Sequence, residues 1–307
     1  SRERGQAQSS GNWWAGRFGG GQRFARSLSF PSWTLLIATL IAASSALISP
    51  FLVLNEQALI ADGLAHVGFT GIVVGLLFSN EPLFISIPIV VLFSVLVKYL
   101  SQNQKINGDA ALGLLSAIAL AIGLVIIHKS SGFNSSIETM LVGSLWTVSS
   151  HEIILAAIAF VLVLLFVIFN YQKLLLLTFD YKYAKFKKSN ANLLSYILAI
   201  LTAVVITIGV KTIGTLLISS FVIFPALIGM QFRKGFKYTL ISGIIISIIG
   251  VFLGIFIADF VDIPAGSSIV LIYAVILFSF MLISKFKKRG LRYDEIDQKK
   301  SKCLQSN

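Results

Sequence analysis

"LIADGLAHVGFTGIVVGLLF", residues Leu59 to Phe78, sets an aspartate and a histidine four positions apart in a stretch otherwise apolar enough for a lipid bilayer. A spanning helix needs roughly 20 mostly apolar residues, and this stretch supplies them. Ionisable groups are expensive at that depth, so a pair of them reads first as a functional site with a cation or proton close by. At 100° per residue, Asp62, His66, Phe69 and Val73 fall on one side of such a helix, and Gly68, Gly71 and Gly75 on the other. Gly71 and Gly75 form a G-x-x-x-G pair, the spacing that lets a second helix approach closely. One face is therefore expected to pack, while the other presents a carboxylate and an imidazole on adjacent turns, near enough to share one cation. The plain structural alternatives are a helix-capping aspartate and a core histidine with satisfied ring nitrogens.

The rest of the chain repeats the pattern of long apolar blocks between short polar gaps. It has 307 residues, 56% of them hydrophobic and only 12% charged, the profile of an all-α polytopic membrane bundle rather than a soluble globule. About nine segments, eight to nine by hydropathy, meet the length requirement, the third (Leu83 to Leu100) and fifth (Ile153 to Asn170) being rather short. Three units are expected: residues 1–30, a basic Gly, Ser and Gln-rich extension; 31–289, the membrane domain; and 290–307, a polar cytoplasmic tail. The extension carries five arginines and reads as a linker, native or artificially appended, and not as a signal peptide.

The net charge of +12 does not imply nucleic acid, because the basic residues mark alternate loops. "KYAKFKK" (Lys182 to Lys188), "RKGFK" (Arg233 to Lys237) and "KFKKRG" (Lys285 to Gly290) belong on the cytoplasmic side by the positive-inside rule. The opposite loops carry mostly acid: Glu81, Glu138, Glu152, Asp259 and Asp262 against Lys129 and Lys211. With nine helices and a cytoplasmic C-terminus, the N-terminus is expected outside. The single cysteine, Cys303, lies in the tail and leaves no disulfide or thiolate metal site within the chain. No G-x-x-x-x-G-K-[ST] loop occurs, so an ATP-driven machine would need its motor on another subunit.

Three further places draw attention. The loop "ADFVDIPAGSS" sets Asp262 before Pro264 and Gly266, either as a turn residue or as a cation-attracting group at the outer mouth. The seventh segment carries Pro225 after Ser219 and Ser220, and a proline that removes a backbone hydrogen bond can line a path, act as a hinge, or be absorbed by neighbouring hydroxyls. "HEIIL" at His151 lacks the second histidine of a zinc-protease helix, with Leu155 in its place, and Asp109 reads as a helix N-cap.

Together these residues resemble the membrane permeases of ATP-binding-cassette importers for zinc, manganese or iron. Asp62, His66 and Gly71 match that family's D-x-x-x-H-x-x-x-x-G signature. Gly214, Leu216, Leu217, Ser219, Pro225 and Ala226 are similar to its G-x-L-L-x-S-x-L-L-x-x-P-A helix. Asp262, Pro264, Gly266 and Val270 match D-x-P-x-G-x-x-[IV]-V-L, and Gly143 and Ser144 sit in a segment like L-F-G-S-I-L-x-V-S. Phe179, Asp180 and Ala184 resemble the cytoplasmic F-D-x-x-x-A element, although Tyr181 and Lys182 stand where Pro and Glu are usual. The resemblance implies a two-fold permease, a homodimer, in the bacterial cytoplasmic membrane, docked on two cytoplasmic ATPases and fed by an extracellular metal-binding lipoprotein. It implies that Asp62 and His66 hold the ion in transit, that the segment at Phe179, Asp180 and Ala184 couples to the ATPase, and that ATP binds only to the partner. No permanently bound cofactor is expected. Three rivals stay open at this point: a permease for a larger chelate such as a siderophore, a proton-coupled carrier, and an intramembrane metalloenzyme joining Asp62 and His66 to His151.

Overall fold

The computed structural model describes residues 32–55, 57–79, 81–102, 108–129, 148–179, 183–184, 191–261 and 263–283. Among these residues the chain forms nine long helices and no strand: α1 (Ser32–Leu54), α2 (Leu59–Phe78), α3 (Leu83–Gln102), α4 (Gly108–Lys129), α5 (Ser150–Phe179), α6 (Ala191–Ile213), α7 (Thr215–Gln231), α8 (Phe236–Val261) and α9 (Ala265–Ile283). In hydrocarbon every backbone N–H and C=O must be bonded within its own segment, and a helix does this without neighbours. Eight of the nine are long and apolar enough to cross a membrane.

The segments expected from hydropathy are therefore present, but several of their lengths differ. The third and fifth helices have 20 and 30 residues, and the short one is α7, with 17. Helix α5 does not stop at Asn170; it kinks there (φ −111, ψ 15), where Asn170 Nδ2 donates to Phe166 O at 3.2 Å, and then runs on to Phe179. Helices α6 and α7 are separated only by Gly214, whose φ of 98 lies in the left-handed region that an L side chain rarely adopts. The α7–α8 reversal uses Arg233 (φ 53) and Gly235 (φ 99) in the same way.

Helices α1, α2 and α6 form the enclosed centre, and α3, α4, α5 and α9 the periphery. Because lipid is as apolar as leucine, close approach and interhelical hydrogen bonds hold such a bundle together. A Cβ on Gly71 would lie 2.7 Å from Ser86 Oγ, and one on Gly75 only 2.6 Å from Pro82 O, so the G-x-x-x-G edge of α2 is occupied by α3 of the same chain. On another side of α2, Thr70 Oγ1 donates to Ala119 O of α4 at 2.5 Å. Helix α9 is pinned by Tyr273, whose ring fills the space that Gly250 leaves on α8 and whose hydroxyl donates to Ser247 O at 2.7 Å. Ser247 Oγ in turn donates to Ala42 O of α1 at 3.1 Å.

Candidate functional site

Asp62 and His66 lie on the first two turns of α2, as the spacing requires, with Asp62 Oδ2 and His66 Nε2 3.8 Å apart. The other carboxylate oxygen, Oδ1, accepts a hydrogen bond from Ser219 Oγ of α7 at 3.2 Å. Two residues separated by 157 positions, both singled out in the sequence, thus form one constellation. The helix cap is at Ala58 and has no side-chain hydrogen bond, so the Asp62 carboxylate is turned toward Ser219 and His66 instead of satisfying its own helix end. Its place in the first turn still sets it at the positive end of the α2 dipole.

The site opens outward from the chain. The Asp62 side chain is 56% exposed and that of His66 27%, whereas Phe69 and Val73 further along the same face are buried. His66 Nδ1 is buried with no hydrogen-bond partner. The first turn of α2 is not at the bundle's edge: Ile60 and Leu64 line a small cavity with Ala199, which is more than two turns into α6, and with Ser94, Val97, Lys98 and Leu112.

The remaining candidates are distributed as follows. Ser220 is half-buried beside Ser219 and makes no bond to the pair; Pro225 is buried within α7. Phe179 is exposed at the end of α5, its ring 6.1 Å from that of Phe236, and Ala184 is buried against Leu177 and Ala191. Asp180, Asp262, Gly143 and Ser144 lie outside the described residues, as do the segments 1–30 and 290–307. Among the described residues no three of His, Cys, Asp and Glu gather at one point, so the centre that a metalloenzyme would need from Asp62, His66 and His151 is not formed.

Sequence reasoning missed an ion pair. Lys211 Nζ lies 2.5 Å from Glu152 Oε1, joining the end of α6 to the start of α5, and the carboxylate is almost fully buried. In the sequence both stand as loop charges of opposite sign, which fits a pair but gives no register. Lys98 was also missed: it is buried on α3 one turn from Ser94, whose hydroxyl has no partner.

Relatedness decides among the readings that this geometry allows. The profile of the ABC 3 transport family matches residues 27–284. The chain belongs to the ABC 3 transport family. Two relatives show how this ABC 3 chain compares with proteins of stated role. It is 27% identical over 262 residues to the high-affinity zinc uptake system membrane protein ZnuB of Haemophilus influenzae, covering 85% of this chain and 98% of that protein. It is 26% identical over 246 residues to the manganese transport system membrane protein MntC of Halalkalibacterium halodurans, covering 80% and 84%. The fold is shared with PsaBC from Streptococcus pneumoniae, solved in complex with Fab, at a TM-score of 0.75 and 24% identity, covering 89% of this chain and 99% of the other. As a member of the family with eight long apolar helices, the chain is a multi-pass protein of the cytoplasmic membrane and a transport permease.

Proposed function

We propose that this chain is the permease subunit of an ATP-driven importer for a divalent transition-metal ion, zinc or manganese and in the same chemical class iron, and that Asp62 and His66 hold the ion in transit. The observation that carries this reading is a carboxylate and an imidazole facing the same gap, 3.8 Å apart, on a membrane helix. A zinc ion about 2.0–2.2 Å from each donor would hold two ligands about 3.4 Å apart at the tetrahedral angle, so a small side-chain rotation closes the pair onto an ion. The names of the zinc and manganese relatives support the same class of cargo.

One chain offers only two ligands, and a half-exposed carboxylate facing lipid would be costly. A second copy, related by a two-fold axis against this face, supplies two more ligands and removes Asp62 from lipid. The set is also suited to release. A metal-bound imidazole is normally steadied by an acceptor on its other nitrogen, and His66 Nδ1 has none. A permease site must hold its ion strongly enough to select it and weakly enough to let it leave.

In this account an extracellular metal-binding lipoprotein delivers the ion near Asp262, between Glu- and Asp-bearing outer loops. Two cytoplasmic ATPases bind and hydrolyse ATP, seated on the segment from Phe179 through Asp180 to Ala184; the chain itself is a transport subunit without enzymatic chemistry. The N-terminus lies outside and the C-terminal tail inside, with residues 1–30 and 290–307 flanking a permease domain of residues 31–289. Alternating access then moves α7, with Ser219, Ser220 and its Pro225 bend, relative to α2.

The test is reconstitution of the chain with its ATPase in vesicles, together with its metal-binding lipoprotein, with radiolabelled zinc, manganese or iron supplied free or as a siderophore complex. ATP-dependent entry of the free ion is expected. Entry of the chelate alone would assign the chelate class, and entry driven by a proton gradient without ATP would contradict the reading.

A further inference from the structure

Helix α7 runs through Pro225, and a side chain of a different helix bonds the turn around it. A proline lacks an N–H and crowds the preceding turn, so the bonds around it open. In an uninterrupted helix the Ala226 N–H would bond Val222 C=O. Here Ala226 N–H donates to Ser49 Oγ of α1 at 3.1 Å, and Ser49 Oγ donates to Val222 O. One hydroxyl from a residue more than 170 positions away thus reaches both ends of that single ladder step. Ser49 is fully buried and is followed at once by Pro50, which interrupts the ladder of α1 in the same way.

What this step controls lies on both sides of it. Toward its N-terminus, α7 presents Ser219 to Asp62, one turn before Val222. On the other side of Pro50, the ring of Phe51 lies 5.1 Å from that of Phe236, which also gathers Tyr171 at 6.0 Å and Phe179 at 6.1 Å. A continuous set of contacts therefore runs from the end of α5, through Phe236 and Phe51, to Ser49, the α7 turn at Pro225, Ser219 and Asp62. Coupling between distant sites is carried by packed chains of this kind when they contain an element with two discrete arrangements. At this α7 step Ser49 partners both groups of the proline-crowded turn, and hydrocarbon penalises leaving either without a partner.

We propose that Ser49 is a positioning residue for the cation site: by bridging the Val222–Ala226 step it sets the bend of α7 that presents Ser219 to Asp62. The inference rests on Asp62 and His66 being the ion's ligands. Without the hydroxyl, Ala226 N–H and Val222 C=O lose their shared partner while Pro225 still crowds the turn, so α7 shifts to bond them again and Ser219 withdraws from the carboxylate.

The experiment is equilibrium binding of radiolabelled zinc or manganese to the purified permease with its ATPase, at matched assembly. Ser49→Ala is expected to weaken binding a few-fold, no more than Ser219→Ala does, because it acts through the Ser219 bond to Asp62. Ser45→Ala removes an equally buried hydroxyl one turn earlier on α1, one with no partner, and should bind like wild type. In a Pro225→Ala background, where α7 can close its own ladder, adding Ser49→Ala should cause no further loss, which a general packing defect would not reproduce. Wild-type binding by Ser49→Ala, equal losses from Ser45→Ala, or additive losses in the Pro225→Ala background would each overturn this inference while Asp62→Ala still abolishes binding. Undiminished binding by Asp62→Ala would instead overturn the ligand assignment, and this inference with it.

Discussion

At the residue scale, the contrast between Asp62 and Glu152 separates function from structure. Both are carboxylates on membrane helices, but Glu152 is buried against Lys211, whereas Asp62 is open and among the described residues is met only by a neutral hydroxyl and an imidazole. A carboxylate already neutralised by an ammonium has little to offer an incoming cation; one left with a hydroxyl does. Removing one partner of a buried pair leaves the other charge stranded, at a cost of about 3–5 kcal/mol, while replacing both by apolar groups can be nearly neutral. Glu152→Gln should therefore lower the thermal midpoint of the purified permease by several degrees, and Glu152→Leu combined with Lys211→Met should recover most of it. Equal midpoints for Glu152→Gln and wild type would show that the pair carries no stability. For Ser219, which donates one hydrogen bond to Asp62, Ser219→Ala should weaken metal binding a few-fold, far less than Asp62→Ala.

At the element scale, the α2–α3 hairpin depends on two positions without side chains. A methyl at Gly75 would meet the backbone of Pro82 at under 3 Å, and backbone cannot move aside as a flexible side chain can. Overpacking of this kind costs about 1–3 kcal/mol, so Gly75→Ala should lower the thermal midpoint, whereas Gly113→Ala, with nothing within 4 Å, should not. A neutral Gly75→Ala would mean that the hairpin yields at this point.

This is also the scale at which the sequence is most legible. Nine apolar blocks were readable because lipid forces each crossing to be a self-sufficient helix, and Asp62 and His66 stood out because each is costly in such a block. The continuation of α5 past Asn170 was not readable, because Asn, Gln and Lys at 170, 172 and 173 look like the end of a span and a kinked helix leaves the same composition. Nor was the shortness of α7, since the one residue Gly214 separates it from α6 and the apolar run is nearly unbroken. The contacts that build the site, Asp62 with Ser219 and Ser49 with Val222 and Ala226, join residues more than 150 positions apart. Periodicity carries no register between helices, so they appear only in the folded chain.

At the scale of the whole molecule, a half-exposed carboxylate on a membrane protein calls for a covering surface. With a second copy on that face, the two Asp62 residues approach one another across a two-fold axis. Asp62→Cys, in a Cys303→Ser background to remove the tail thiol, should then be joined to its counterpart by a short bifunctional maleimide in the assembled complex. Failure to cross-link, with intact pairing shown by mass, would place Asp62 away from the axis.

The central claim, that Asp62 and His66 lie on the route of a divalent metal, is tested most directly by cellular metal content. Zinc, manganese and iron would be measured by mass spectrometry in cells lacking their own high-affinity importers and expressing this chain with its ATPase and receptor, as wild type, Asp62→Ala or His66→Ala at equal membrane levels. The account predicts a rise in one of these metals with the wild type, abolished by either substitution. A rise of the same size with both variants would contradict it.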